Sequence, residues 1–130
     1  VRIVGDRFLL PSELLFASAS AELGEEGRQE LDKLAKLLLD VSAKIPEDVD
    51  WILRIDGHTD ILPINTPRFP SNWELSTARA VAVVRYLAAQ GVPERRMAAA
   101  GFGEFFPVAE GTSPEALQRN RRIELKLTDR

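Results

Sequence analysis

The stretch Gly57–Ala80, GHTDILPINTPRFPSNWELSTARA, decides how the rest of the chain is read. A hydrophobic run leads into it, with Trp51, Leu53 and Ile55 alternating against Ile52 and Arg54. That two-residue period is a strand's, and Gly57 ends it. Pro63, Pro67 and Pro70 follow. Proline neither continues a helix nor donates to a central sheet ladder, so 61–70 reads as a long, partly stiffened loop. Ser71-Asn72-Trp73-Glu74 fits a capping box, with Ser71 as N-cap and Glu74 reaching back to its amide. The helix so begun is expected to run to Gln90, with Gly91 and Pro93 as its stop.

Upstream, Val1 to Leu10 reads as a small hairpin about the turn pair Gly5-Asp6, and Pro11 ends its second run. After Leu14-Leu15-Phe16 and a small-residue segment, Gly24 precedes another helix. Leu31, Leu34, Ala35, Leu38 and Val41 recur at its 3.6-residue period, and Pro46 lies beyond its end. Downstream, the glycine-punctuated run Met97–Gly103 suits a tightly packed strand. Gly111 to Gln118 reads as a loop with a helical turn. In Arg122–Leu127, Ile123, Leu125 and Leu127 alternate with Arg122, Glu124 and Lys126, a last strand. This order predicts a two-layer α/β (α+β) sandwich, its helices on one face of a mixed sheet. The expected core includes Leu34, Leu38, Leu53, Ile55, Ala82, Val83, Ile123 and Leu125.

The 130 residues are read as one domain, 1–130, with 1–16 a hairpin lead-in and 17–130 its body. A net charge of −3 argues against a general nucleic-acid binder, which would present a basic face. Absent cysteine excludes disulfides and thiolate metal sites, and a single histidine excludes a multi-histidine zinc site. No apolar run approaches the length of a membrane span, and the expectation is a soluble piece of a longer protein.

Two residues resist a purely structural account. Arg79 shares a helical stripe with Leu75, Ala82, Val83 and Tyr86. Either its stem packs while its head snorkels to water, or its guanidinium sits in a cleft ready to grip a carboxylate. Asp60 is either a turn aspartate bonding nearby amides or a carboxylate at a strand's C-terminal end, where α/β sheets place ligands. Strand parity turns Arg121 towards the apolar face and Arg122 away from it. His58 reads as a structural hydrogen bonder, and Glu104 as surface charge. No nucleophile elbow, phosphate loop or metal-ligand spacing is present.

Taken in order, Leu15-Phe16-Ala17-Ser18, Gly57-His58-Thr59-Asp60, Asn72–Ala80, Gly91-Val92, Gly101-Phe102-Gly103-Glu104 and Asn120-Arg121-Arg122-Ile123 resemble the OmpA-like peptidoglycan-binding domain. The set covers nearly the whole chain. The proline-bearing loop and Ser71–Ser76 resemble the MotB-type branch of flagellar stator and other membrane-anchored proteins. The resemblance implies a non-enzymatic binder of the peptidoglycan stem peptide, recognising diaminopimelate, in the periplasmic part of a membrane-anchored envelope protein. It implies no metal and no cofactor. By it Asp60 receives the ligand's ammonium and Arg79 its carboxylate; Asn72 and Arg121 are accessory polar positions, with Thr59 and Leu75 beside them. Many short-loop members carry aspartate directly after the phenylalanine before the first helix; this chain has Ala17. The rival readings are a dimerisation module of an envelope complex, which also leaves a homodimer open, and a peptidoglycan hydrolase.

Overall fold

The computed structural model describes residues 2–4 and 7–129. Five strands, β1 (Arg2–Val4), β2 (Arg7–Pro11), β3 (Trp51–His58), β4 (Met97–Gly101) and β5 (Arg122–Asp129), form one sheet in the order β1-β2-β5-β3-β4. Neighbours run antiparallel except for the parallel pair β3–β4, so the sheet is mixed. The expected turn Gly5-Asp6 lies outside the described residues, but its flanking strands pair, with Arg2 opposite Leu9 and Val4 opposite Arg7. The helices are α1 (Ser12–Leu15), α2 (Glu25–Lys44), α3 (Asn72–Ala89) and α4 (Pro114–Asn120). None is long and apolar enough to cross a membrane among the described residues.

One face of the sheet is covered as the periodicity predicts. Leu31, Leu34, Ala35 and Leu38 of α2 and Ala80, Val83 and Leu87 of α3 close on Leu10, Leu53, Ile55, Ile123 and Leu125. Ala82 sits half-buried at the margin of this core. Burial of a large aliphatic side chain stabilises by roughly 1.5–3 kcal/mol, so this interface dominates the fold. The short apolar run before the first long helix coils into α1, and the helical turn expected near Gln118 is α4.

Two glycines set the distance between helix and sheet. Gly57 and Gly101 are opposite one another on the parallel strands. A Cβ on Gly57 would collide with the backbone carbonyl of Ser76, and one on Gly101 with Thr77. The first turns of α3 therefore rest directly on the β3–β4 backbone. Ser76 completes the contact by accepting the Gly103 amide at 3.0 Å.

The opposite face carries a buried charged layer that the alternation pattern alone did not announce. His58 pairs with Arg122 across β3 and β5, and Asp56 with Glu124. Arg122, which parity left free to be a solvated edge residue, is 5% exposed. It donates to Glu124 at 2.6 Å and to the Phe106 and Asn120 carbonyls, while Arg54 grips Asp56 in a two-pronged bond. The segment after β4 folds over this layer, stacking Phe102 on His58 at 5.0 Å. His58 is not the hydrogen bonder expected, since neither ring nitrogen has a hydrogen-bond partner among the described residues, Glu124 lying 3.8 Å from Nε2. Burial, then the Arg122 charge, lowers its pKa to about 4.

Candidate functional site

The six residues singled out in the sequence, Thr59, Asp60, Asn72, Leu75, Arg79 and Arg121, all line one cleft of about 470 Å³. Three pieces of backbone deliver them. β3 ends at His58, which carries Thr59 and Asp60 to the rim. α3 begins at Asn72, and its first turns bring Asn72, Leu75 and Arg79 inward. Arg121 arrives between α4 and β5. The opposite wall is α1 and the segment after it, with Glu13, Phe16, Ser18 and Ala19.

Local chemistry fixes each part. The Ser71 hydroxyl accepts the Trp73 amide at 3.2 Å and bonds the Glu74 carboxylate. The Ser71 hydroxyl, then the local amides, hold the Glu74 carboxyl below its ordinary pKa; Ser71 is the N-cap expected, bonded to Glu74 through its hydroxyl. Asp60 turns one oxygen to the Leu62 amide at 3.0 Å and the other to Arg121 at 2.8 Å, and Thr59 Oγ1 donates to the Asp60 carbonyl. The Asn72 side-chain amide bridges the Leu62 carbonyl at 3.0 Å and Glu104 at 3.1 Å. Glu104 is thus tied to the rim and is not the plain surface charge its sequence context implied.

Arg79 is 5% exposed and forms no ion pair among the described residues. Its Nε donates to the Ser20 carbonyl at 2.8 Å and Nη2 to the Ala17 carbonyl at 3.2 Å, with the guanidinium 5.2 Å over the Phe16 ring. Packing and cleft-lining, set against each other in the sequence reading, coexist here. Burial lowers its pKa, but a guanidinium stays charged in a protein, and two carbonyls leave N–H donors for an anion.

Arg121 is held between two carboxylates, with Nε on Glu13 at 2.7 Å and Nη1 on Asp60 at 2.8 Å. Burial alone would lower its pKa; the two carboxylates outweigh that and raise it. Glu13 escaped the sequence reading because nothing local marks it. Only the β2–β5 register, which sets Pro11 opposite Arg122, brings it beside Arg121. The charged residues lining the cleft are Glu13, Asp60, Arg79 and Arg121, two of each sign.

The architecture and the sequence agree with known proteins. The model of the OmpA family matches residues 15–121. The chain belongs to the OmpA family. It is 30% identical over 122 residues to Motility protein B of Helicobacter pylori, covering 93% of this chain and 45% of that protein. It is 35% identical over 118 residues to the uncharacterized protein YtxE of Bacillus subtilis, covering 90% and 46%. The chain thus spans about half the length of these curated relatives. Among solved structures, a MotB-like protein from Desulfovibrio vulgaris superposes with a TM-score of 0.82 at 34% identity, over 95% of this chain and 75% of that one. The cell wall anchor of the T6SS from Pseudomonas aeruginosa gives 0.80 at 36%, over 95% and 81%.

This is an OmpA-family domain of the MotB type. Ala17, which follows Phe16, contributes its carbonyl to Arg79. The acidic residue on that wall of this OmpA-family cleft is Glu13.

Proposed function

We propose that this domain holds peptidoglycan without covalent chemistry, gripping the zwitterionic end of diaminopimelate in the stem peptide and so anchoring a membrane-tethered envelope protein in the periplasm. The observation that carries the reading is Arg79: a buried guanidinium in no ion pair among the described residues, lining the same cleft as Asp60. The ligand's carboxylate takes the remaining Arg79 donors, and its ammonium meets Asp60. Arg121 holds the Asp60 carboxylate in place, Glu13 balances Arg121, and Thr59, Leu75 and Asn72 shape the walls. Such a zwitterion needs one fixed cation and one fixed anion, and a cleft lined by equal numbers of each keeps the complex neutral. Related structures carry names in keeping with this role, the cell wall anchor above and the peptidoglycan-associated lipoprotein of Burkholderia pseudomallei, with a TM-score of 0.68 at 27% identity.

A hydrolase is disfavoured by the same geometry. A catalytic acid needs a raised pKa at the cleft. Glu74 is held low by its helix cap, and the carboxyl that burial does raise, Asp56, lies on the far face of the sheet.

The test is titration with a diaminopimelate-containing tetrapeptide and retention on purified sacculi. Asp60→Asn and Arg79→Lys should each weaken binding by roughly ten-fold or more, as expected for losing charge-assisted hydrogen bonds worth roughly 1.5–3 kcal/mol. Arg79→Ala is the less clean variant, because it also releases the Ala17 and Ser20 carbonyls. Undiminished binding by folded Asp60→Asn and Arg79→Lys would refute the reading.

A further inference from the structure

Beside the cleft lies an aromatic surface that the diaminopimelate contacts leave unused. Trp73 and Phe105 stack at 5.0 Å with 27° between their planes, yet they remain 49% and 57% exposed. The two rings together present one contiguous apolar face to solvent. Its position is not accidental. Trp73 follows Asn72 and Phe105 follows Glu104, and those two polar side chains are bonded to one another at 3.1 Å, with Asn72 also holding the Leu62 carbonyl of the cleft wall. One amide therefore ties the cleft wall to the segment that carries Phe105. Gly103 completes the pair: the place a Cβ would occupy is 3.4 Å from the Phe105 ring and 3.6 Å from Trp73.

We propose that the Trp73–Phe105 pair is a stacking platform for a sugar ring of the glycan strand, adjoining the peptide cleft. The proposal rests on the stem-peptide reading of that cleft. Diaminopimelate is the third residue of a peptide whose first residue is joined to the sugar. The ring must come down within on the order of 10 Å of chain from the bound residue. A pyranose presents a face of weakly positive C–H groups, which the electron-rich face of an indole attracts, while its hydroxyls require hydrogen-bond acceptors at the edge. Glu104 on the rim supplies a carboxylate there. A protein partner would be served by the same apolar area but has no need of a neighbouring cleft balanced for a zwitterion.

The experiment compares two probes on the same protein: a disaccharide tetrapeptide, and the same tetrapeptide freed of sugar. Trp73→Ala should weaken the sugar-bearing probe by about two- to ten-fold, the range of one ring contact, and leave the free peptide unchanged. Phe105→Ala should do the same to a smaller degree, and Trp73→Phe should retain most of the affinity. The sugar-bearing probe should also change tryptophan emission in the wild type and not in Trp73→Phe, where only the buried Trp51 remains. Equal effects of Trp73→Ala on both probes, no effect on either, or a change in oligomeric state in its place would overturn the platform while leaving the cleft reading intact. If neither probe binds the wild type, or if Arg79→Lys and Asp60→Asn bind both normally, the cleft reading itself fails and the platform with it.

Discussion

Asp60 and Arg79 reach the cleft by different routes, and the difference shows in their partners. Asp60 is held by a neighbouring amide and by Arg121, while Arg79 is anchored on two carbonyls and the Phe16 ring. Anchoring a cation on neutral acceptors fixes its position and leaves its charge unspent. His58 shows the opposite economy on the far side of the sheet. Its pKa, ordinarily 6.5, falls to about 4 through burial first and the Arg122 charge second. Between those values the unfolded chain binds a proton that the folded chain refuses, so the contribution is whole above pH 6.5 and drains away as pH falls towards 4. Glu124 adds to the loss at lower pH: burial would raise its carboxyl, but Arg122 holds it below the ordinary value. Thermal melts between pH 7 and 4.5 should show stability falling by up to about 3 kcal/mol from His58, and His58→Gln should flatten that slope. An unchanged slope in the variant would remove His58 as the cause.

At the scale of elements, α3 is the part on which the cleft depends most. Its first turns are pressed onto β3 and β4 where only Gly57 and Gly101 admit them. Gly57→Ala should therefore destabilise by roughly 1–3 kcal/mol, the usual cost of forcing a methyl group into packed space, and also weaken peptide binding because Asn72 and Arg79 move with the helix. Normal affinity in a destabilised Gly57→Ala would show that the cleft does not depend on this contact. The helices, the strand alternation and the cap at Ser71 were legible in the sequence because each is written in residues close together. So were the six cleft residues, through strand ends, helix stripes and the family resemblance. Glu13, the tether between Asn72 and Glu104, and the buried Arg122–Glu124–His58 layer were not. Each depends on which strand lies beside which, and alternating charge looks the same whether water or a folded-back segment covers it.

At the scale of the molecule, the cleft sits at one end of the sheet, where β3 ends and β5 begins. A single stem peptide held by a few partly hydrated contacts should bind weakly, whereas a wall polymer offers many copies to tethered domains. Joining two domains by a flexible linker should raise retention on sacculi by about a hundred-fold or more while leaving affinity for the isolated tetrapeptide unchanged. Equal retention of the single and linked forms would argue that wall attachment does not arise from repeated weak contacts.

The pairing of His58 with Arg122 has a consequence of a different kind. Asp60 lies two residues beyond one member of that pair and Arg121 one residue before the other, so the ion pair at the cleft is an extension of the β3–β5 ladder. Sliding either strand by one position would bring its charged residues into the apolar core and its apolar residues into the charged layer and part these two charges in the same movement. The cleft thus works as a checksum on strand alignment. A molecule misaligned by one step would be silent to ligand, and the ligand-competent fraction of a preparation would count the correctly aligned chains directly.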